Sequence, residues 1–354
     1  MIERTAHEKF MQRCIDLAKL GLGNTAPNPL VGSVIVYNNQ IIGEGFHRNY
    51  GEAHAEVNAI NSVKDKSLLK RSTIYVNLEP CSHHGKTPPC ANLIASMAIP
   101  QIVIGSKDTA AHVSGNGIKI LQKTGSKVLV GVLEKESREL NKRFFTFHEK
   151  KRPYIILKWA QTKDAFIDIK RDSSSLVQPT WITNEYAKAL VHKWRSEEQA
   201  ILIGTNTALL DDPTLTTRNW TGKNPIRIVL DQNLKLPKDL KVFNNQANTF
   251  IIADKTQQNR KIKYENNIGI RFADYKKDFY AKLFKILIDM EIQSVIIEGG
   301  EKVLNSFIKN DLLDEARIFT GDIEFGDGVK APALSLKNEQ IDLLGDSSLT
   351  FITK

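Results

Sequence analysis

A two-domain α/β protein is the architecture this sequence predicts, and three observations predict it. Apolar runs of strand length alternate with helix-period segments along the whole chain. The 354 residues are long for one hydrophobic core and comfortable for two. A polar, proline-terminated run, Lys150-Lys151-Arg152-Pro153, interrupts the alternation and sets domain boundaries at 1–149 and 150–354.

The elements of the first half follow in order. Thr5 and Glu8 have the form of a capping box, and Phe10, Cys14, Leu17 and Ala18 follow at helical spacing, so a helix is expected through Leu20. Pro27-Asn28-Pro29 is a rigid turn. Residues 31–37 and 41–46 read as strands joined at Asn38-Asn39, a hairpin signal. A helix beginning near Ala53 carries His54 and Glu56; residues 72–78 form a strand, with Cys81 opening the next helical region. Cys90 leads an apolar helix over 91–97, strands follow at 102–105 and 127–132, and one helix runs from Glu134 to about His148. His54 and Cys81 are thereby expected near helix N-termini, where the dipole favours thiolate over thiol.

The second half repeats the alternation. Strands are expected at 154–159, 200–203, 226–230, 249–253, 294–297, 315–319 and 349–352, and helices at 279–290 and 301–308. Trp181-Ile182-Thr183 leads into a further helix ending at Trp194, and both tryptophans are expected in the core.

Composition narrows the class. Hydrophobic content of 41% and charged content of 25% are those of a soluble globular protein. No run approaches the ~20 apolar residues that span a bilayer, and Met1 to Thr5 leads into an amphipathic helix rather than a signal peptide. Three cysteines provide no disulfide framework, which points to a reducing, cytoplasmic setting, with Cys14 a small core residue. The net charge of +9 suits nucleic acid or phosphorylated metabolites. No Lys/Arg block is interleaved with stacking aromatics, so a phosphorylated small molecule is expected rather than nucleic acid or membrane.

The chemistry is concentrated in His54-Ala55-Glu56 and in the run from Pro80 and Cys81 to Pro89 and Cys90. One imidazole and two thiolates make three ligands for zinc and leave a fourth tetrahedral position for water. Glu56, one residue beyond the pair His54-Ala55, takes a proton from that water and returns it to a leaving amine. An H-x-E followed by P-C is the signature of zinc nucleobase deaminases. The alternative is a closed zinc knuckle, for which His83 or His84 would have to supply the fourth ligand. In the second half, Glu298-Gly299-Gly300-Glu301 joins a strand to a helix through a glycine turn, either to admit a phosphate or because the turn needs φ > 0. The polar loop from Asp211 to Arg218 ends on a guanidinium that can grip a phosphate, or is a solvated turn.

Across essentially its full length the chain resembles the bifunctional deaminase–reductases of riboflavin biosynthesis. The first half carries Pro27-Asn28-Pro29-Leu30-Val31-Gly32, Gly45-Phe46-His47, His54-Ala55-Glu56 and the run Leu78-Glu79-Pro80-Cys81-Ser82-His83-His84-Gly85-Lys86-Thr87-Pro88-Pro89-Cys90, in which eight residues rather than the common two separate the cysteines. The second half matches through Lys158, Asp164, Trp181-Ile182-Thr183, Arg195, Gly204 to Thr207, Asp211 to Leu215, Arg218 and Glu298-Gly299-Gly300. The resemblance implies a cytidine-deaminase-like α/β/α domain followed by a dihydrofolate-reductase-like α/β domain. It implies one Zn²⁺ on His54, Cys81 and Cys90 with Glu56 catalytic, and a deaminase pocket lined by Asn28, His47, His83 and Lys86. It further implies a reductase substrate held by Arg195, Leu215, Arg218 and Glu298, with NADPH on Ala160, Trp181, Thr207, Asp211 and Gly300. The implied activity is hydrolytic deamination of a phosphoribosylamino-diaminopyrimidinone, then reduction of its ribosyl group to ribityl, in a protein that forms homo-oligomers.

Three departures from the family pattern stand out. Thr109-Ala110-Ala111 replaces Pro-Asn-Pro after Asp108, Ala165 replaces the glycine of a Leu-Asp-Gly motif, and Gln178-Pro179-Thr180 stands where a serine contacts cofactor. They keep open a deaminase with an impaired reductase. The remaining rivals are a nucleic-acid base deaminase with an accessory binding domain, and a zinc-stabilised scaffold that only binds partners.

Overall fold

The computed structural model describes residues 2–82, 88–109, 115–171, 176–264, 267–334 and 339–354. The chain divides into two compact units, Met1–Lys151 and Arg152–Lys354. The first unit ends two residues beyond the proline-based boundary, because its last helix runs through Lys150 and stops on Lys151 at φ 52.

The first unit is a sheet between two helical layers. Its helices are α1 (Ile2–Lys19), α2 (Ala55–Ser62), α3 (Cys90–Ser96), α4 (Asn116–Lys123), α5 (Glu134–Leu140) and α6 (Lys142–Lys150). Its strands are β1 (Gly32–Tyr37), β2 (Gln40–Phe46), β3 (Thr73–Leu78), β4 (Gln101–Ser106) and β5 (Lys127–Val130), in the order β2-β1-β3-β4-β5. β1 is antiparallel to both neighbours, and β3, β4 and β5 are parallel. The period-2 alternation of strand side chains sorts the core. Ile35, Ile74, Val76, Ile102 and Ile104 face α2, α3 and α4. Val34, Val36, Tyr75 and Val103 face the Phe10, Met11, Cys14 and Leu17 stripe of α1. Asn38 at φ 47 and Asn39 at φ 61 form the two-residue hairpin turn, for which asparagine tolerates the left-handed region.

Several expectations for this unit are corrected. α1 begins at Ile2, so Thr5 lies within it and not at the N-cap position. α4 was not anticipated. The single helix expected from Glu134 is two, broken at Asn141, whose side chain accepts from Leu30 N at 2.8 Å and donates to Leu30 O at 2.9 Å. An asparagine that bonds a distant backbone gives up helical geometry there. Cys81 follows β3 in a loop and opens no helix of its own.

The second unit is built on a nine-stranded sheet. Its strands are β6 (Tyr154–Gln161), β7 (Phe166–Asp168), β8 (Ala200–Gly204), β9 (Ile226–Leu230), β10 (Thr249–Asp254), β11 (Ile268–Ala273), β12 (Ser294–Ile297), β13 (Glu315–Thr320), β14 (Val329–Lys330), β15 (Glu339–Leu344) and β16 (Ser347–Thr353). Its helices are α7 (Glu185–Glu197), α8 (Thr205–Asp211), α9 (Phe279–Asp289) and α10 (Glu301–Lys309). The order is β11-β10-β9-β8-β12-β6-β13-β16-β15, with β7 and β14 paired separately. The strands from β11 to β13 run parallel, and β16 and β15 add an antiparallel edge. β6 is covered on both faces: Ile155, Leu157 and Trp159 pack with α9 and α10, while Tyr154 and Ile156 pack with α7. That double burial is why β6, β8 and β12 are nearly continuous apolar runs.

Ala165 holds a left-handed backbone, φ 63, in the turn where Thr162 N donates to Phe166 O and Ala165 N to Thr162 O. A Cβ in that region costs about 1–2 kcal/mol, of which glycine's greater unfolded-state freedom returns part. Ala165→Gly is therefore expected to stabilise the second unit by about 1 kcal/mol, read as a raised urea midpoint in tryptophan fluorescence. All four tryptophans, Trp159, Trp181, Trp194 and Trp220, lie in that unit and report on it alone. A lowered midpoint would refute the strain argument.

Candidate active sites

In the first unit, three loops at the ends of the sheet bring the predicted ligands together. His54 is the N-cap of α2, Cys81 follows β3, and Cys90 is the first residue of α3. His54 Nδ1 stands 3.3 Å from Cys90 Sγ and 3.6 Å from Cys81 Sγ, and all three donor atoms lie within 4.8 Å of one another. A tetrahedral zinc with its ordinary Zn–N and Zn–S bonds needs N···S separations of about 3.5 Å, so this donor set fits the ion. Among the described residues no fourth His, Cys, Asp or Glu joins the group; His83 and His84 lie outside them.

Local electrostatics favour the Cys81 thiolate. Cys81 Sγ accepts from the Cys90 side chain, from His54 and, at 3.3 Å, from the Cys90 backbone N–H, the first amide of α3. These bonds bring its thiol down to about 4 despite burial, whereas Cys90, as the donor to that thiolate, is pushed up. Cys81 thus gains a helix N-terminus in space that it lacks in sequence. His54 is raised by its bond to Cys81. Glu56, in the first turn of α2, is 3% exposed; burial and the neighbouring Cys81 charge push its carboxyl above the usual range.

Asn28 and His47 stand beside this group. The His47 and His54 rings meet edge to face with centroids 5.4 Å apart. His47 Nδ1–H donates to Ala53 O at 3.2 Å, so Nε2 is the acceptor for Asn28 Nδ2 at 3.1 Å. Burial lowers the His47 pKa and so favours the neutral ring, and the two hydrogen bonds select its tautomer. His83 and Lys86, the other two residues expected in this pocket, lie outside the described residues.

Four supporting residues had no role assigned from the sequence. Asn77 accepts from Gly32 N at 2.8 Å and donates to Leu30 O, and with Asn141 it fixes the loop that carries Asn28. Glu79 accepts from the backbone N–H groups of Asp108, Gly115 and Ile118, joining the Cys81 loop to the start of α4. Gly117 allows that approach: a Cβ there would sit 2.1 Å from Pro80 O. Glu79 lies inside the quoted motif, so its position was visible although its role was not.

In the second unit, Lys158 on β6 and Glu298 just past β12 each stand one residue beyond the paired Ile297 and Leu157. Arg195 of α7 clasps Glu298 with two bonds, Nη2 to Oε2 at 2.7 Å and Nε to Oε1 at 3.3 Å. Burial would raise the Glu298 carboxyl, but Arg195 and then Lys158 hold it down at about 2. The Lys158 amine is lowered by burial and by Arg195. Arg218 is also lowered by burial and by Arg195, so two guanidiniums are crowded at this site. His192, one turn before Arg195, is brought down to about 4 by burial and by both arginines; its Nδ1 has no partner among the described residues.

Lys158 and Glu298 open onto a cleft of about 570 Å³ whose walls include Ala160, Thr207, Asp211 and Gly300. Gly300 has φ 59 and caps α10, and a Cβ there would lie 3.2 Å from Thr207 Oγ1. The turn needs φ > 0 at Gly300, as one of its two readings expects. Asp211 closes α8, where burial raises its carboxyl to about 6. Two residues implied for this unit's ligands, Leu215 and Trp181, are not among those lining the cleft. Leu215 is 2% exposed in the core beneath β8, β9 and β10, at φ 55. Trp181 is not a core residue: it is 56% exposed, with Lys188 Nζ 3.9 Å above its ring, whereas Trp194 is buried.

Comparison with known proteins matches each unit to a described family. Residues 4–106 match the cytidine and deoxycytidylate deaminase zinc-binding region, and residues 153–345 match the RibD C-terminal domain. The riboflavin biosynthesis protein RibD of Aquifex aeolicus is 36% identical over 99% of both chains, and that of Bacillus amyloliquefaciens 39% identical over 92% of this chain and 87% of its own. The crystal structure of a diaminohydroxyphosphoribosylaminopyrimidine deaminase/5-amino-6-(5-phosphoribosylamino)uracil reductase from Thermotoga maritima superposes with a TM-score of 0.86 at 35% identity, covering 99% of both chains. With a cytidine-deaminase-like unit, a RibD-type second unit and relatives aligned from end to end, this chain belongs to the RibD family of bifunctional riboflavin biosynthesis proteins.

Proposed function

We propose that this chain performs two consecutive steps of riboflavin biosynthesis, with the residues named above in specific roles. The first is hydrolytic deamination of 2,5-diamino-6-(5-phosphoribosylamino)pyrimidin-4(3H)-one, releasing ammonia. The second is NADPH reduction of the ribosyl group of 5-amino-6-(5-phosphoribosylamino)uracil to ribityl. The observation that carries the reading is the convergence of His54 Nδ1, Cys81 Sγ and Cys90 Sγ within 4.8 Å beside a buried carboxylate.

His54, Cys81 and Cys90 hold the zinc, which supplies Lewis acidity and makes water a nucleophile near neutral pH. Glu56 accepts the proton of the attacking water and delivers it to the departing amine. A buried carboxyl with a raised pKa suits that shuttle, since it is a stronger base than an ordinary carboxylate and lies nearer the pH at which it must take and return the proton. His47, neutral and bonded through both nitrogens, fixes the Asn28 amide with its Oδ1 available to accept from the pyrimidine ring. His83 and Lys86 complete the pocket in this reading.

In the reductase unit, NADPH supplies the hydride from the cleft bounded by Ala160, Thr207, Asp211 and Gly300, with exposed Trp181 at its edge. Arg218 binds the ribosyl phosphate; Arg195 holds Glu298 ionised against the substrate beside Lys158, and Leu215 shapes the wall from the core. Domains at 1–149 and 150–354, a cytoplasmic location and self-association belong to the same reading. It is supported by three cysteines free of disulfides and by the absence of any described helix long and apolar enough to cross a membrane.

A coupled assay on zinc-loaded protein tests the proposal. The diaminopyrimidinone ribosyl phosphate is expected to release ammonia without NADPH, and NADPH added afterwards is expected to be oxidised in equal amount. Ammonia without oxidation would mark an impaired reductase, and no ammonia would sink the deaminase roles.

A further inference from the structure

Arg171 follows β7, and its side chain is only 7% exposed. Its guanidinium reaches three separate stretches of chain. Nε and Nη2 form a bidentate pair with Asp168 at 2.8 and 3.1 Å. Nη1 donates to Gln178 O at 2.8 Å and to Leu210 O at 2.9 Å, and more weakly to Leu176 O at 3.4 Å. Nη2 also reaches Asp211 Oδ1 at 3.1 Å and Thr180 Oγ1 at 3.2 Å. The Thr180 hydroxyl in turn donates to Asp168 Oδ1 at 2.6 Å.

An arginine has five N–H donors, and these contacts use all of them. Arg171 therefore has none to spend on a ligand. What it does is hold other groups that face the cleft: Asp168, Pro179, Thr180 and Asp211 all line it. Leu210 O is one of the carbonyls at the end of α8 that no later turn of helix satisfies, a place where a cation is favourable. The Thr180 hydroxyl, committed to Asp168, does not stand in for the serine that Pro179 displaces.

We infer that Arg171 is a positioning residue for the nicotinamide cofactor: with Asp168 it latches residues 176–180 to the end of α8 and so sets the wall of the cleft that carries Asp211. This rests on the reading of that cleft as the NADPH site. Fixing the wall before the cofactor arrives lowers the ordering cost of binding, so the effect falls on cofactor affinity more than on turnover. Lysine, with three donors on a single nitrogen, cannot make the fork to Asp168 and reach the Gln178 and Leu210 carbonyls together.

The test uses the full-length zinc-loaded protein, with NADPH binding read from quenching of the tryptophans. Wild type is expected to bind NADPH. Arg171→Met is expected to weaken binding about tenfold or more, the equivalent of one or two lost ordering contacts. Its kcat at saturating NADPH should stay within about threefold and its ammonia release should be unchanged, since the effect is on binding rather than on chemistry. Arg171→Lys should fall between the two. Thr180→Val and Asp168→Asn, which weaken the latch from its other side, should shift the NADPH Kd in the same direction and decide the matter if Arg171→Met does not fold. Unchanged NADPH affinity across these variants, or a fall in kcat with affinity intact, would overturn the inference. Absence of NADPH binding by wild type would overturn the cleft reading itself, and the inference with it.

Discussion

Glu56→Gln is expected to lower the rate of ammonia release about 1,000-fold while leaving zinc at one ion per chain and the melting temperature within a few degrees. General acid–base catalysis by a single positioned side chain is worth about 10²–10⁴, and Glu56 acts twice in each turnover, so a value no lower than the middle of that range is expected. Glutamine keeps the shape and the burial of the first turn of α2 and removes only the capacity to carry a proton. Glu56 hydrogen-bonds the Cys90 side chain, a contact the glutamine amide can still make, and the three ligand atoms His54 Nδ1, Cys81 Sγ and Cys90 Sγ are themselves unchanged. Supplied directly with 5-amino-6-(5-phosphoribosylamino)uracil, the variant should oxidise NADPH at the wild-type rate. Ammonia release above about a tenth of wild type would show that Glu56 is not the proton carrier, because loss of a general acid–base group costs far more than that. Loss of zinc with the substitution would instead give the carboxylate a structural role and favour the scaffold reading.

The zinc ligands and Glu56 could be read from the sequence because their chemistry is rare and their spacing short. His54 and Glu56 share one helix end, and Cys81 and Cys90 bracket a single run. The central strands were equally legible, since β6, β8 and β12 bury both faces and leave no polar alternation to confuse them. The edge strand β15 was missed for the opposite reason: with Gln340 and Leu343 alike exposed, its pattern is not set by burial. α8 was missed because a seven-residue helix with two threonines and an asparagine carries little helical signal. The pairings between distant residues left no local trace. Asn141 acts on Leu30 across 111 positions and Arg195 on Glu298 across 103, and no window along the chain contains both partners. Arg171 carries no signal in the sequence, since only the fold brings Gln178, Thr180 and Leu210 against it.

Arg195→Met is expected to abolish measurable reductase activity and to destabilise the second unit by about 3–5 kcal/mol, the cost of removing one partner of a buried ion pair. Both side chains are at most a tenth exposed, 10% for Arg195 and 8% for Glu298, so solvent does little to compensate the orphaned carboxylate. The pair also fixes a pH dependence. Glu298 titrates near 2 in the folded protein against an ordinary value of 4.5, so the folded state favours its ionised form. A depressed pKa contributes stability that is fully present above about 4.5 and is lost as pH falls toward 2; the shift corresponds to about 3 kcal/mol. Urea unfolding followed by tryptophan fluorescence, which reports on the second unit alone, should show wild type weakening through that window. Arg195→Met should lose most of this acid-side slope, because Lys158 is left as the main group favouring the Glu298 anion. The double variant Arg195→Met with Glu298→Gln removes the unpaired charge and should recover part of the stability without recovering NADPH oxidation, since the coupling between contacting residues is not additive. A single variant as stable as wild type, with an unaltered acid slope, would show that the clasp between α7 and the end of β12 contributes nothing to the folded state. A double variant that regains both stability and turnover would remove Arg195 and Glu298 from the substrate site.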